Sequence, residues 1–337
     1  MLWCQTLQQA THHHSLTIRS DYRLCGSRAA RYAQRLGDVL GRGGRDEVGL
    51  TSKRYTDHAV TTDPEDHAWA VVVEACDLAD LDDEFLKHAV EAIRSAYGEK
   101  EIRELAADAP LLAAPQPAEG VARFVTDHLV RALRSSLPNP ESEGDKPAHL
   151  TNYRSETTEL LAREALSEVF GMATPPALHA TKGNRNQPIL GFDGWSVMNY
   201  SSGELALVLM QVKGTDDAKR PPSQAEKLIV ECSQVTSGVE KLKGFLTACL
   251  VRCKGTPFRD PLVEMLVELE RTGKLANLVV APVIIRGLVK ADLGDLASLR
   301  KATGNFAHAK ARGMSLSIGA DLTAFGRAAM EKARQHD

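Results

Sequence analysis

The chain has 337 residues, 43% hydrophobic, 25% charged and 5% aromatic, with a formal charge of −3. The apolar share excludes a disordered chain, and the length suits two domains of about 150 residues, each able to bury a core. The longest apolar stretch, 275–285, falls short of the ~18–20 residues a membrane-crossing helix needs, so no membrane partner is expected.

The N-terminus carries no basic region followed by an apolar core, so no secretory signal is expected. Residues 19–54 hold nine basic and four acidic residues, with Arg28, Arg31 and Arg35 on one helical face. The segment reads either as an arm touching phosphate or as a solvated, loosely ordered one. Residues 57–108 reverse the sign, with fifteen acids and four bases, and the two blocks can pair with each other. Residues 68–75 (AWAVVVEA) predict a buried strand. Residues 83–106 predict one long helix or two short ones, with Phe85, Ala89, Ile93 and Tyr97 at helical spacing. After a proline-bounded break at 110–117, residues 121–133 predict another helix. The stretch 135–147 (SSLPNPESEGDKP) sets three prolines among small polar residues and reads as a linker. It divides a mainly helical N-terminal region, 1–150, whose first ~55 residues are expected to be poorly ordered, from a second domain, 151–337.

In the second domain, residues 155–170 predict an amphipathic helix with Leu160, Leu161, Ala165, Leu166 and Val169 inward. Strands are expected at 178–181, from near Phe192, and at 205–212 (LALVLMQV), the last apolar enough to be covered on both faces. A long helix from about 224 to 251, a helix at 260–271 and a buried strand at 278–285 (LVVAPVII) follow. A short strand at 315–318 and a helix at 321–335 capped by Asp321 complete the outline. It is that of an α/β domain with helices on both sheet faces.

The segments 191–195 (GFDGW) and 209–215 (LMQVKGT) carry the chemistry. Asp193 stands in a segment flanked by Gly191 and Gly194 at the start of a strand. Gln211 and Lys213, two apart at the end of the next strand, share one face while Val212 points the other way. The eighteen positions between Asp193 and Gln211 suit two strands joined by a short turn, which brings Asp193, Gln211 and Lys213 to one end of a hairpin. A lysine closing an apolar strand and facing a carboxylate needs a partner or a task, because an unpaired buried charge is costly.

An Asp on one strand, Gln-x-Lys on the next and a Glu-bearing helix upstream resemble the PD-(D/E)XK nuclease superfamily. The G-x-D-G followed by Q-x-K is similar to its Mrr-like restriction endonucleases. The helix 154–166 (RSETTELLAREAL) with G-x-D-G downstream also resembles the nuclease subunit of Hachiman-type antiphage systems. The resemblance implies a restriction-endonuclease-like core, a mixed central sheet flanked by helices. It further implies a cytoplasmic, Mg2+-dependent (Mn2+ as substitute) endodeoxyribonuclease of bacterial antiphage defence, with DNA as substrate and a helicase or other defence-system protein as partner. Asp193 is then the central metal ligand, with the backbone carbonyl of Val212 and the amide oxygen of Gln211 beside it. Glu159 is the expected helix acid, with Glu156 and Glu164 as alternatives, and Lys213 orients or deprotonates water and stabilises the transition state. The rival expectation is a catalytically inactive module of the same fold that binds nucleic acid or a partner protein. Gln211 keeps it open, since a neutral residue there weakens metal binding.

Weaker signals have plainer readings. The run His12–His14 and the glycine-rich 41–49 read as unstructured chain and a flexible turn rather than metal and phosphate sites. The six cysteines show no framework spacing, and Cys249 and Cys253 read as core thiols. Lys182, Arg185, Lys219 and Arg220 flank the site in polar loops, as contacts to a phosphate backbone or as solvated charges. Ser233 and Gln234 lie on the helix that follows the Q-x-K strand.

Overall fold

Apolar runs too uniform to leave one face in water form the middle of a single mixed sheet. The computed structural model of the protein describes residues 54–55, 57–80, 82–107, 124–144, 146–147, 150–175, 193–199 and 204–336. All fall within one unit, Glu47–Asp337. The strands are β1 (His58–Thr62), β2 (Ala68–Val73), β3 (Gly194–Asn199), β4 (Leu205–Thr215), β5 (Leu278–Arg286) and β6 (Lys310–Ser317), in the spatial order β1-β2-β6-β5-β4-β3. The four inner strands run parallel, and β1 and β3 close the two edges antiparallel. Pro282, which has no N–H to donate, interrupts the β5–β6 ladder, and pairing resumes at Val283–Met314. β6 begins five residues earlier than its apolar stretch predicts. Arg312 pairs with Asp66, and Gly313 leaves the room that the Trp69 ring occupies.

Helices cover both faces. They are α1 (Glu84–Ala96), α2 (Glu99–Ala107), α3 (Arg131–Ser135, entered through a π-helical turn at Val125–Val130), α4 (Asn152–Phe170), α5 (Gln224–Ser237), α6 (Val239–Arg252), α7 (Arg259–Thr272), α8 (Ala297–Lys301) and α9 (Leu322–Arg334). Of the two outcomes open for 83–106, two helices form, and Gly98, whose φ is +93°, separates them. The long helix expected from 224 breaks at Gly238. Asp321 caps α9 by accepting from the Thr323 and Ala324 N–H groups. On one face α1, α4 and α9 pack Phe85, Ile93, Leu161, Ala165 and Phe325 over Val208, Met210, Val212, Val283 and Met314. On the other, α5, α6 and α7 pack Leu228, Cys232, Leu246 and Leu262 over Trp195, Leu207, Leu209 and Val280. Among the described residues no helix is long and apolar enough to cross a membrane.

One expectation about the first half is corrected. Residues 135–147 do not divide two domains, because β1 and β2 precede them yet belong to the common sheet, and α1 shares its core with α4 and α9. The prolines and small polar residues form a capping turn instead. Pro140–Glu143 is one 3-10 turn, and the buried Glu143 carboxylate accepts the Asn152 N–H at 2.9 and 3.1 Å, satisfying the first turn of α4. The described part of 1–150 is mainly helical, with β2 where a strand is predicted and β1 paired beside it. The strand expected at 178–181, the basic segment 19–53, His12–His14 and the glycine-rich 41–49 lie outside the described residues.

Tyr55 anchors the start of the described chain. Its ring is buried edge-on to Phe85 and His88, and its N–H donates to Glu168 at 2.9 Å. Its hydroxyl lies 3.2 Å from His88 Nε2, which is 2.9 Å from Glu164 Oε2. Burial pulls the His88 pKa down, but the bond to Glu164 and the charges of Glu164 and Glu168 outweigh it and hold the pKa above its ordinary value. A raised folded-state pKa adds stability below the unfolded value near 6.5 and loses it as pH rises through the folded one. The melting-temperature advantage of the native protein over His88→Gln is therefore expected to be larger at about pH 5.5 than at about pH 8.5, as read by calorimetry. At the crossing of α4 and α9, a Cβ on Gly326 would lie 2.9 Å from the Arg154 Cα and 3.0 Å from the Tyr153 carbonyl oxygen. Backbone cannot yield as a side-chain tip does, so Gly326→Ala is expected to cost about 1–3 kcal/mol, seen as a lower urea midpoint with unchanged slope.

Candidate active site

The site grows out of the end of the β3–β4 hairpin. Registered pairing of the two strands stops at Gly194–Met210, so β4 runs on past β3 from Gln211. Asp193 sits just before β3, and its Oδ2 accepts the Val212 N–H at 2.6 Å, which replaces the missing ladder bond. A strand residue's N–H and C=O point to the same side, so the Val212 carbonyl faces Asp193's side as well. Alternation then divides the side chains. Ala206, Val208, Met210 and Val212 enter the core under α4, while Leu207, Leu209 and, continuing the period, Gln211 and Lys213 face α5.

Electrostatics tie the group together. Gln211 is buried and Lys213 half-buried. Lys213 Nζ is 2.8 Å from Oε2 of Glu231, on α5. Burial pushes the Asp193 carboxyl above the usual carboxylate range; the Val212 N–H and the Lys213 charge pull against it, and the Glu231 charge adds to it. Cys232, fully buried beside them, has its thiol pushed up by burial and by the charges of Glu231 and Asp193, so it is a neutral core group.

A buried polar network holds α5 in place. Thr215 pairs in register with Arg286, the last residue of β5, and the loop 216–223 leads from there to α5. Arg286 and Asp295 are both 0% exposed. Arg286 Nη2 donates to the Lys219 carbonyl at 3.3 Å, and Arg220 donates to the Lys290 carbonyl at 2.6 Å. Asp295 accepts from the Ser315 hydroxyl at 2.9 Å and the Asp292 N–H at 3.0 Å. Its other oxygen lies 3.6 and 3.7 Å from the Nε atoms of Arg220 and Arg286. Removing one member of such a buried set strands the others, so the loop and the helix it leads into are fixed.

Asp193, Gln211, Val212 and Lys213 are thus brought together, and of the three helix acids named from the sequence Glu156 and Glu164 are engaged elsewhere. Glu159 lies on α4, which covers the opposite face of the sheet from Gln211 and Lys213. Glu156 is buried and accepts from the Tyr97 hydroxyl, while Glu164 pairs with His88. Glu231 went unread in the sequence. Its only signal is its place on α5 between the inward Leu228 and Cys232, which sets it at the rim of the buried stripe. Of the flanking loop cations, Arg220 is engaged as above and Lys182 and Arg185 lie outside the described residues. Ser233 turns its hydroxyl back to the Val230 carbonyl, and Cys249 and Cys253 are buried in the core under α6. Set against known proteins, the chain matches no family model, no curated protein and no solved structure.

The shared field has a measurable sign. Lys213→Met removes the cation that lowers Asp193 and is expected to raise its pKa further, whereas Glu231→Gln removes the anion that raises it and is expected to lower it. Carboxyl-carbon NMR titration of the two variants should show displacements in opposite directions from the native protein. Displacements of the same sign would contradict this arrangement.

Proposed function

We propose that this chain is a metal-dependent nuclease hydrolysing DNA phosphodiester bonds on a restriction-endonuclease-like core. One observation carries the reading. Asp193, bonded to the Val212 N–H at 2.6 Å, stands at the end of β4 beside Gln211-x-Lys213, on two antiparallel strands in the order the resemblance calls for. The donors suit the ion. The Asp193 carboxylate, the Val212 carbonyl and the Gln211 amide are hard oxygens, and Mg2+ is commonly held by one or two carboxylates with waters and substrate phosphate. When bound, such an ion, Mg2+ or Mn2+, neutralises charge on the scissile phosphate and lowers the pKa of the attacking water.

The chain's own groups do the rest. Asp193 binds, and Gln211 orients through its amide. Lys213, 2.8 Å from a carboxylate, acts as a fixed positive charge facing the oxygens on which negative charge develops. That pairing favours an electrostatic role over proton abstraction. In the reaction a water oxygen bonds to phosphorus, the bond from phosphorus to one nucleoside oxygen breaks, and that oxygen takes up a proton. Action in antiphage defence beside a helicase rests on the resemblance. It is supported by the net charge of −3, which gives the chain little unaided attraction for DNA.

A second reading, a non-catalytic module of the same fold that binds nucleic acid or a partner protein, has its own support. Gln211 carries no charge, and among the described residues no three His, Cys, Asp or Glu side chains group as a metal site. Cleavage of plasmid and linear DNA by the full chain, with Mg2+ or Mn2+ and an EDTA control, separates the two. The nuclease reading expects metal-dependent cutting that falls at least about 100-fold in Asp193→Ala and in Lys213→Ala with the circular dichroism unchanged. Cutting that survives Asp193→Ala or EDTA sinks it, and DNA binding without cutting favours the second reading.

A further inference from the structure

Resting on the metal-site reading above, we infer that Glu231 supplies the second carboxylate of the site, the place for which Glu159 was expected. The first ground is the division of the sheet. Gln211 and Lys213 face α5, and Glu231 is on α5, whereas Glu159, Glu156 and Glu164 ride on α4 over the opposite face. The α4 face of β4 carries Val208, Met210 and Val212, and α4 meets it at Gly214, where a Cβ would lie 3.3 Å from Thr158 Cγ2, whereas Gln211 and Lys213 lie on the other side.

The second ground is the state of the carboxylate itself. Glu231 Oε2 lies 2.8 Å from Lys213 Nζ on a side chain that is 34% exposed, so the carboxylate is shared between the ammonium and solvent, and its charge also acts on Asp193. A carboxylate that keeps contact with solvent can exchange that water for a divalent ion, which takes hard oxygen ligands. The third ground is fixity. Leu228 and Cys232 are locked into the core under α5, and the Arg286–Asp295–Arg220 network ties down the loop that leads to it, so Glu231 is held at the end of β4 by packing on both sides.

With Glu231 the group contains two carboxylates, one ammonium and two neutral oxygens, from Gln211 and Val212. The acid missing from position 211 is restored from the next helix. The net negative charge of Asp193, Glu231 and Lys213 together is one, which suits a hard divalent cation better than the neutral sum of Asp193 and Lys213 alone. Lys213 competes with that cation for Glu231 in this arrangement. Removing the lysine should therefore tighten cation binding, both by freeing Glu231 and by taking a positive charge away from Asp193.

Calorimetric titration of Mn2+ into the full-length protein tests this without reference to cleavage. Glu231→Gln is expected to weaken Mn2+ binding about tenfold or more, as Asp193→Asn does, while Glu159→Gln leaves it within about twofold. Lys213→Met is expected to strengthen it, and Lys213→Met combined with Glu231→Gln, which removes both members of that ion pair and so guards against misfolding of the single variant, is expected to lose that gain. Native-like Mn2+ affinity in Glu231→Gln, with Asp193→Asn impaired, overturns the assignment and leaves the metal-site reading standing. Weakening in Glu159→Gln but not in Glu231→Gln overturns it in favour of the α4 acid. A native protein that takes up no Mn2+ overturns the metal-site reading and this assignment together.

Discussion

The arrangement hangs on one hydrogen bond made where a ladder ends. At Gly194–Met210 the registered β3–β4 pairing stops, and among the described residues no strand lies beside the Val212 N–H on that edge. The Asp193 carboxylate takes that donor at 2.6 Å. This bond closes the sheet edge, fixes the carboxylate in a half-buried place, and brings it next to the two side chains that β4 turns toward α5. Strand period does the rest, because a residue one step along β4 belongs to a different core.

Around this point the molecule keeps polar groups on one side of the sheet and at one end of it. The α5-facing side is apolar at Leu207, Leu209 and Val280 and becomes polar toward the carboxyl ends of the parallel strands, at Gln211, Lys213, Thr215, Arg286 and Ser315. Ligand sites in open α/β sheets commonly lie beyond those ends. Buried ion pairs are poor sources of net stability, and their use here is directional. Arg286 and Asp295 act on a loop carbonyl and on Arg220, and so on where α5 begins.

How much of this was legible follows from which signals are local. Asp193, Gln211 and Lys213 could be grouped because a two-residue period and a short turn are properties of adjacent sequence. The side of the sheet on which each helix lies could not be read, since LALVLMQV is apolar on both faces and carries no mark distinguishing them. Thr158, next to Glu159 on α4, meets the end of β4 at Gly214, on the face away from Gln211 and Lys213, and Glu231, eighteen positions beyond Lys213 on a helix placed by a loop, carries no local mark of its place. β1 was missed for the opposite reason. HAVTT is exposed at every position and presents no apolar run, so only its pairing with β2 makes it a strand.

The turn at 140–143 has a consequence for how the chain can be divided. Its composition invites a cut, yet Glu143 belongs to α4 by virtue of the Asn152 N–H it holds, and β2 lies directly against β6. A piece beginning at residue 151 would keep Asp193, Gln211, Lys213 and Glu231 but lose that cap and the neighbour of a central strand. β6 would then present a bare parallel edge, flat and apolar at Met314 and Leu316, of the kind that recruits other chains. The half of the protein that holds the chemistry is therefore not a self-sufficient half. An insoluble fragment would report the loss of β2 rather than anything about the site.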